Sequence, residues 1–383
     1  MRKVDPVVDE AIETLNMKDG PSRRRLLSGA GLFSATAAAS ALISACTSAT
    51  TSSAAAGSAA GSFPKTPAWQ FWFINHVTTN PFFTPTQYGM KDAAKLLGLP
   101  DPKWEGSTNS VISEMTSAFQ QAVAAKADGI AVPVIDATAF TAPVKAAMQD
   151  GIPVISYNSD GVYTNGKPVI GTNRLCYVGQ SLFVSGQSMG QEIKKRVPGG
   201  GDIVIFIATP GTGNIQPRYD GAVSVLGPSY KVHEIATGAA TAAEPPAEKA
   251  YLLAHKSIKG AFAVDAGSTE VLGAQLKATG VNVPSGGFDT LGQTVTNIQS
   301  GMMDFTIYQD PYLQGFLPVL YMYLFKISGG AIYPPDTDTG LAVVTKDNVS
   351  AYATASRYQG TSATPKYIPL SGAINAPMAT TST

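Results

Sequence analysis

Several short apolar runs of this 383-residue chain end in side chains that can engage two neighbouring polar groups at once. Thr79-Asn80-Pro81-Phe82-Phe83 follows the run at 71–74, and Asn158-Ser159-Asp160 follows the run at 152–157. Arg218, Asp265, Asp289 and Gln309 stand at or just beyond later runs. Amides, carboxylates and a guanidinium suit a polyhydroxy ligand, because each hydroxyl both donates and accepts and planar groups engage adjacent hydroxyls in pairs. Phe82 and Phe83 add flat apolar surfaces on which the C–H face of a sugar ring can pack. Taken singly, each polar residue also reads as a helix cap or turn, and each Phe as a core residue. The inference to a binding site rests on the set and its order.

Other patterns that could carry chemistry lead to weaker readings. Gly186-Gln187-Ser188-Met189-Gly190 fits the spacing of a hydrolase nucleophile elbow, which needs a buried strand directly before the serine. The spacing of Leu182, Met189 and Ile193 instead predicts one helix over 180–196 with Ser188 inside it. Only His233 and His255 follow Ser188, and neither lies near the end of the chain, as a triad in that order would need. Thr209-Pro210-Gly211-Thr212-Gly213 follows an apolar run but lacks both the dinucleotide spacing and a phosphate-binding lysine. His76, His233 and His255 show no metal-ligand spacing. Asp336-Thr337-Asp338-Thr339-Gly340 offers too few ligands for a calcium loop and reads as a turn before the last strand. No cofactor and no metal are expected.

These residues must be positioned by an alternation of buried strands and amphipathic helices. Apolar runs at 71–74, 130–134, 152–157, 203–207, 261–264 and 305–308 alternate with segments of helical period. Val111, Met115, Phe119 and Val123 form one stripe, and Phe140, Val144 and Met148 another. That alternation predicts an α/β protein with parallel sheets. About four strands before residue 160 and about five between 175 and 308 are too many for one open sheet, so two similar Rossmann-like lobes joined by a hinge are expected. Small molecules bind such folds at the carboxyl ends of the strands, where the polar set stands.

At this point the chain resembles the ribose- and galactose-type periplasmic binding proteins, over about residues 69–344. Asn80-Pro81-Phe82-Phe83 matches that family's first binding motif, and Gly151-Ile152-Pro153-Val154-Ile155 the strand leading to its second. Arg218, Asp265, Gly287-Phe288-Asp289 and Gln309 fall where the family places later ligand contacts. The resemblance implies the type I periplasmic binding protein fold, with one lobe over 67–172 plus 310–340, the other over 173–309 plus 341–370, and a tail at 371–383. It implies capture of a monosaccharide or polyol by lobe closure, delivery to an ABC-type permease and its ATPase, and a monomer without enzymatic activity. Trp104-Glu105-Gly106-Ser107-Thr108-Asn109 is similar to a subgroup of sugar and polyol binders, with Trp104 as a second aromatic surface. One departure stands out. Where ribose-type members carry Asp-Arg after the fourth strand, this chain has Asn158 and Ser159 followed by Asp160, which removes a multi-donor fork.

The N-terminal residues predict a protein that works outside the cytoplasm. Arg23-Arg24-Arg25-Leu26-Leu27, a mild apolar stretch and Leu42-Ile43-Ser44-Ala45-Cys46 stand in the order of a twin-arginine lipoprotein signal over 1–46, with Cys46 the lipidated residue. Residues 47–66, rich in Thr, Ser, Ala and Gly, read as a flexible tether. The chain carries 27 basic and 27 acidic residues; the first 45 take six and five of them, leaving a near-neutral remainder without a basic patch for nucleic acid. With Cys46 lipidated, Cys176 has no partner for a disulfide and reads as a small core residue. A lipoprotein that signals to a membrane receptor, and a hydrolase using Ser188, are the alternatives.

Overall fold

The computed structural model describes residues 64–164, 167–240 and 242–353. The arginine pair, Cys46, the tether up to residue 63 and the tail lie outside the described residues, as do residues 354–370 of the expected second lobe.

The first sheet has the order β13-β7-β4-β3-β1-β2 and is parallel throughout. Its strands are β1 (Phe71–Asn75), β2 (Lys103–Gly106), β3 (Gly129–Val134), β4 (Val154–Asp160), β7 (Tyr177–Gly179) and β13 (Thr337–Asp338). β1 and β3 are buried from end to end, because helices cover both faces of such a sheet and leave no solvated side. The helices are α1 (Thr84–Leu97), α2 (Ile112–Ala124) and α3 (Ala137–Gln149), with α9 (Leu313–Ile327) arriving late in the chain to pack on α1. A small antiparallel ribbon, β5 (Val162–Thr164) with β6 (Lys167–Ile170), projects after β4.

The second sheet repeats the plan with the order β14-β12-β11-β10-β8-β9. It comprises β8 (Gly201–Ile207), β9 (Tyr230–Ala236), β10 (Gly260–Ala263), β11 (Ser285–Phe288), β12 (Phe305–Tyr308) and β14 (Ala342–Thr345). Only β14 runs antiparallel. Its helices are α4 (Leu182–Arg196), α5 (Gln216–Leu226), α6 (Glu244–Ala254), α7 (Ala266–Thr279) and α8 (Gly292–Ser300).

Each sheet has two apolar layers, one on each face. In each, strand order reverses at a single point, between β1 and β3 and between β8 and β10, where an open α/β sheet forms its binding crevice. The chain passes between lobes three times, at Gln180-Ser181, at residues 309–312 and at residues 339–341. The switch expected between 172 and 173 falls instead after Gly179, because β7 pairs with β4 and completes the first sheet before the chain leaves it.

The serine motif is accounted for by packing. Ser188 lies within α4, where a Cβ at Gly186 would stand 2.1 Å from Arg218 O and one at Gly221 2.2 Å from Phe183 O. The glycines let α4 and α5 cross with their backbones almost touching.

Candidate functional site

The wall contributed by the first lobe begins where β1 ends. His76 is buried, with its ring edge-on to Phe83 at 5.3 Å. Burial pushes its imidazole down to about 3, so the ring is neutral. Asn80 caps the short turn Pro81–Phe83, its Oδ1 accepting from Phe82 N at 2.9 Å, which presents Phe82 and Phe83 as an edge-to-face pair with centroids 4.7 Å apart. Asn158, at the end of β4, donates from Nδ2 to Gln314 Oε1 at 3.1 Å.

The second lobe supplies most of the charge. Arg218, on the first turn of α5, is only 3% exposed, and its guanidinium lies over the Phe288 ring at 4.2 Å. It donates to Val264 O at 3.1 Å and to Gln180 Oε1 at 3.2 Å. Burial lowers its pKa, against the stabilising carboxylates of Asp289 and Asp265. Asp265 caps α7, accepting from Ser268 N and from Ala208 N, both at 2.9 Å. Asp289 accepts from Gln309 Nε2 at 2.8 Å, and burial raises its carboxyl to about 6. Glu244, at the start of α6, is pushed up to about 9 by burial and by neighbouring Asp265 and Glu270, so it holds its proton near neutral pH.

These side chains surround one cavity between the lobes. Within it about 70 Å³ is open to the centre of a water molecule. Eight of the ten sequence-predicted ligand residues line it: Asn80, Phe82, Phe83 and Asn158 from the first lobe, Arg218, Asp265 and Asp289 from the second, and Gln309 at a crossover.

Two independent features single the cavity out. His76 Nδ1, Asn214 Oδ1, Arg218 Nε and Glu244 Oε2 are buried atoms with no hydrogen-bond partner among the described residues, and all four residues line it; buried polar groups are otherwise almost always paired. Ser110, Asn158 and Asp289 on its wall have φ of 58°, 62° and 72°. Non-glycine residues adopt that region at a cost that is usually met only where a side chain must be aimed.

Trp104 and Asp160 are placed elsewhere. Trp104 stands behind the wall, stacked on Phe73 at 6.4 Å and tilted against Phe83 at 6.0 Å, with Nε1 donating to Thr78 O at 3.2 Å. It supports Phe83 rather than facing the cavity. Asp160 points away because Arg174 holds it, Nε to Oδ1 at 2.6 Å, and Arg174 in turn reaches Asp336 at 3.0 Å. Asp160 therefore does not stand in for the missing arginine.

His76, Asn214 and Glu244 are cavity residues that the sequence reading passed over. His76 precedes Asn80 by four positions and could have been found by extending the strand-end rule backwards. Glu244 opens a helix after a long loop and left no such signal. Among the described residues, no group of three or more His, Cys, Asp or Glu side chains is placed to hold a metal ion, and no helix is long and apolar enough to cross a membrane.

Comparison with known proteins agrees with this geometry. A family model described as a periplasmic binding protein domain matches residues 71–326. The xylose/arabinose-binding protein XylF of Sulfolobus acidocaldarius is 45% identical over 313 residues, covering 78% of this chain and 76% of its own. A solute-binding protein of an ABC transporter from Burkholderia graminis, in complex with D-arabinose, superposes with a TM-score of 0.67 at 27% identity, over 76% of this chain and all of that one. A carbohydrate transporter protein from Acidothermus cellulolyticus, in complex with myo-inositol, gives 0.66 at 25% identity, again over 76% and 100%. With residues of two α/β lobes lining a polar cavity and a family model spanning most of both, the chain belongs to the periplasmic binding protein family and has a solute-binding role.

Proposed function

We propose that the protein captures a monosaccharide or polyol, with pentoses the first candidates, between its two lobes outside the cytoplasm and hands it to an ABC-type permease. The observation that carries this reading is that four residues lining one cavity flanked by Phe82 and Phe83 each hold a buried polar atom without a partner among the described residues. Hydroxyls satisfy such atoms because each can donate and accept, and no net charge is required of the ligand. The pentose class draws support from the name of the 45% identical relative and from the arabinose held by the structural neighbour. Asn80, Asn158, Arg218, Asp265, Asp289 and Gln309 would hold hydroxyls, and the two Phe rings the apolar face of the sugar. Twin-arginine export and lipidation at Cys46 would keep the protein at the membrane beside its permease.

The test is calorimetric titration against pentoses, hexoses, polyols and amino acids. Saturable binding of one sugar or polyol, strongly weakened by Arg218→Ala, is expected. Binding confined to amino acids, or none to any polyhydroxy compound, would overturn the assignment.

A further inference from the structure

The loop between β8 and α5 reaches across the cleft. It is tied to itself, with the Thr209 and Thr212 hydroxyls 3.0 Å apart and Gly211 N donating to Gln216 Oε1 at 2.6 Å, so it should move as part of the second lobe. Its tip meets three strand ends of the first. Gly213 N donates to Ile135 O at 2.9 Å, just after β3. A Cβ at Gly213 would stand 2.4 Å from Gly161 O, just after β4, and 3.1 Å from Ile135 O. Asn214 Nδ2 lies 3.3 Å from His76 Nε2, just after β1.

Gly213 is not in the left-handed region that favours glycine. The nearest atoms that would obstruct a side chain there, from Gly161 and Ile135, belong to the opposite lobe. Glycine is therefore needed at 213 only while the lobes are together. The neighbouring pair is also matched across the cleft. If Asn214 donates to His76 Nε2, the ring proton of the neutral imidazole resides on Nδ1, a tautomer assigned from this contact. That leaves a donor on His76 and an acceptor on Asn214, both buried and both without a partner among the described residues, on two residues that line the cavity.

We propose that Gly213 and Asn214 form a latch that closes onto the first lobe, and that Asn214 Oδ1 and His76 Nδ1 each read a hydroxyl of the bound solute, one from each lobe. Gly213 acts as a positioning residue, since its backbone touches only protein. The contact between the pair makes recognition by Asn214 conditional on closure, because His76 holds the Asn214 amide in place only when the lobes meet. The inference rests on the solute-binding reading and specifies how the cavity selects its occupant.

The experiment compares the full-length protein with Gly213→Ala and Asn214→Ala by stopped-flow binding of the best pentose or polyol, by small-angle scattering and by thermal melting. For Gly213→Ala the dissociation constant should rise about tenfold, almost entirely through faster release. Association should stay within twofold, and the melting temperature without sugar should be unchanged. Its radius of gyration should exceed that of the parent protein at equal sugar occupancy. With Asn214→Ala, one deoxy analogue should bind as well as its parent sugar, whereas the unaltered protein discriminates between them. A Gly213→Ala protein with the parent's release rate and scattering curve overturns the latch. Equal discrimination by Asn214→Ala and the unaltered protein across all deoxy analogues overturns the hydroxyl reading. If the unaltered protein bound no polyhydroxy compound, the sugar assignment would fail and the latch with it, whereas binding by both proteins with equal release rates overturns the latch alone.

Discussion

Gln180 accepts from the Arg218 guanidinium at 3.2 Å while its own Nε2 donates to Tyr308 O at 3.3 Å and Gly340 O at 3.1 Å. One side chain on the first crossover thus binds the other two crossovers together and fixes the cation of the site to all three. Replacing it with leucine should cost about 1–3 kcal/mol of stability, since buried polar partners are left unpaired. Urea denaturation would measure that loss, and calorimetry should show weaker sugar binding in the folded fraction. Unchanged affinity would mean that Arg218 is held adequately by Val264 O and Phe288 alone.

Arg218 itself should be irreplaceable by lysine. Its guanidinium combines a stacked contact on Phe288 with donors aimed at Val264 O and Gln180, and an ammonium cannot reproduce a planar fork. Arg218→Ala should weaken binding by about 2–5 kcal/mol, the usual cost of deleting one partner of a buried charged network. Arg218→Lys should recover little of it. Titration calorimetry on both variants decides the point.

Stability should depend on pH through Glu244 and Asp289. Both carboxyls have pKa values raised by burial, to about 9 and about 6. A raised carboxyl means that the folded protein binds more protons than the unfolded chain, so its contribution is full below the unfolded pKa and is lost as pH rises toward the folded value. For Glu244 this window runs from its ordinary value of 4.5 to about 9, with a slope of at most about 1.4 kcal/mol per pH unit. Glu244→Gln should flatten the fall above pH 6 in melts recorded from pH 4 to 9. A variant with the parent's slope would shift the responsibility to fully buried Glu248, whose carboxyl is also raised.

Asp160 and Arg174 make the opposite kind of pair, outside the cavity and partly solvated. Asp160→Asn should lower the melting temperature by a few degrees, as Arg174 loses a bidentate partner and β13 loses part of its anchor through Asp336. Sugar affinity should stay within about threefold, because neither side chain lines the cavity. A large loss of affinity would show that this network also sets the position of the crossovers.

Ser188→Ala should leave both stability and binding near the parent's, while Gly186→Ala should disturb both, because a methyl group there collides with the backbone of α5 at Arg218. Melting and calorimetry on the two variants separate packing from chemistry in this motif.

The parallel sheets were legible because runs such as Ile130-Ala131-Val132 and Ile203-Val204-Ile205 are buried on both faces and carry no polar alternation. The helix stripes were legible with a drift. The buried face of α2 is Met115, Ala118, Phe119 and Ala122, while Val111 stands exposed just before the helix and Val123 falls toward its edge, since a strict four-residue spacing outruns a 3.6-residue turn. β7 escaped because three residues leave no periodicity, and with it went the boundary between the lobes. At the site, strand-end amides and acids were readable from chain order alone. The diversion of Asp160 was not, because its cause is Arg174, which reads as an ordinary loop residue. Asn214 and Glu244 were hidden for the same reason, since their roles depend on which lobe they face across a gap and not on their neighbours in sequence.

The late return of the chain to the first lobe has a consequence for biogenesis. Until residues 313–338 have been synthesised, α1 lacks the Val319, Met322 and Tyr323 surface that covers Met90, Ala93 and Ala94, and the first sheet lacks its edge strand β13. The second sheet waits longer still for β14. Neither half can be completed while the ribosome is mid-chain, so an emerging polypeptide carries open apolar faces through nearly its whole synthesis. A secretion route that accepts only finished, packed molecules would suit such a chain, and one that threads it unfolded would need a holding chaperone for α1.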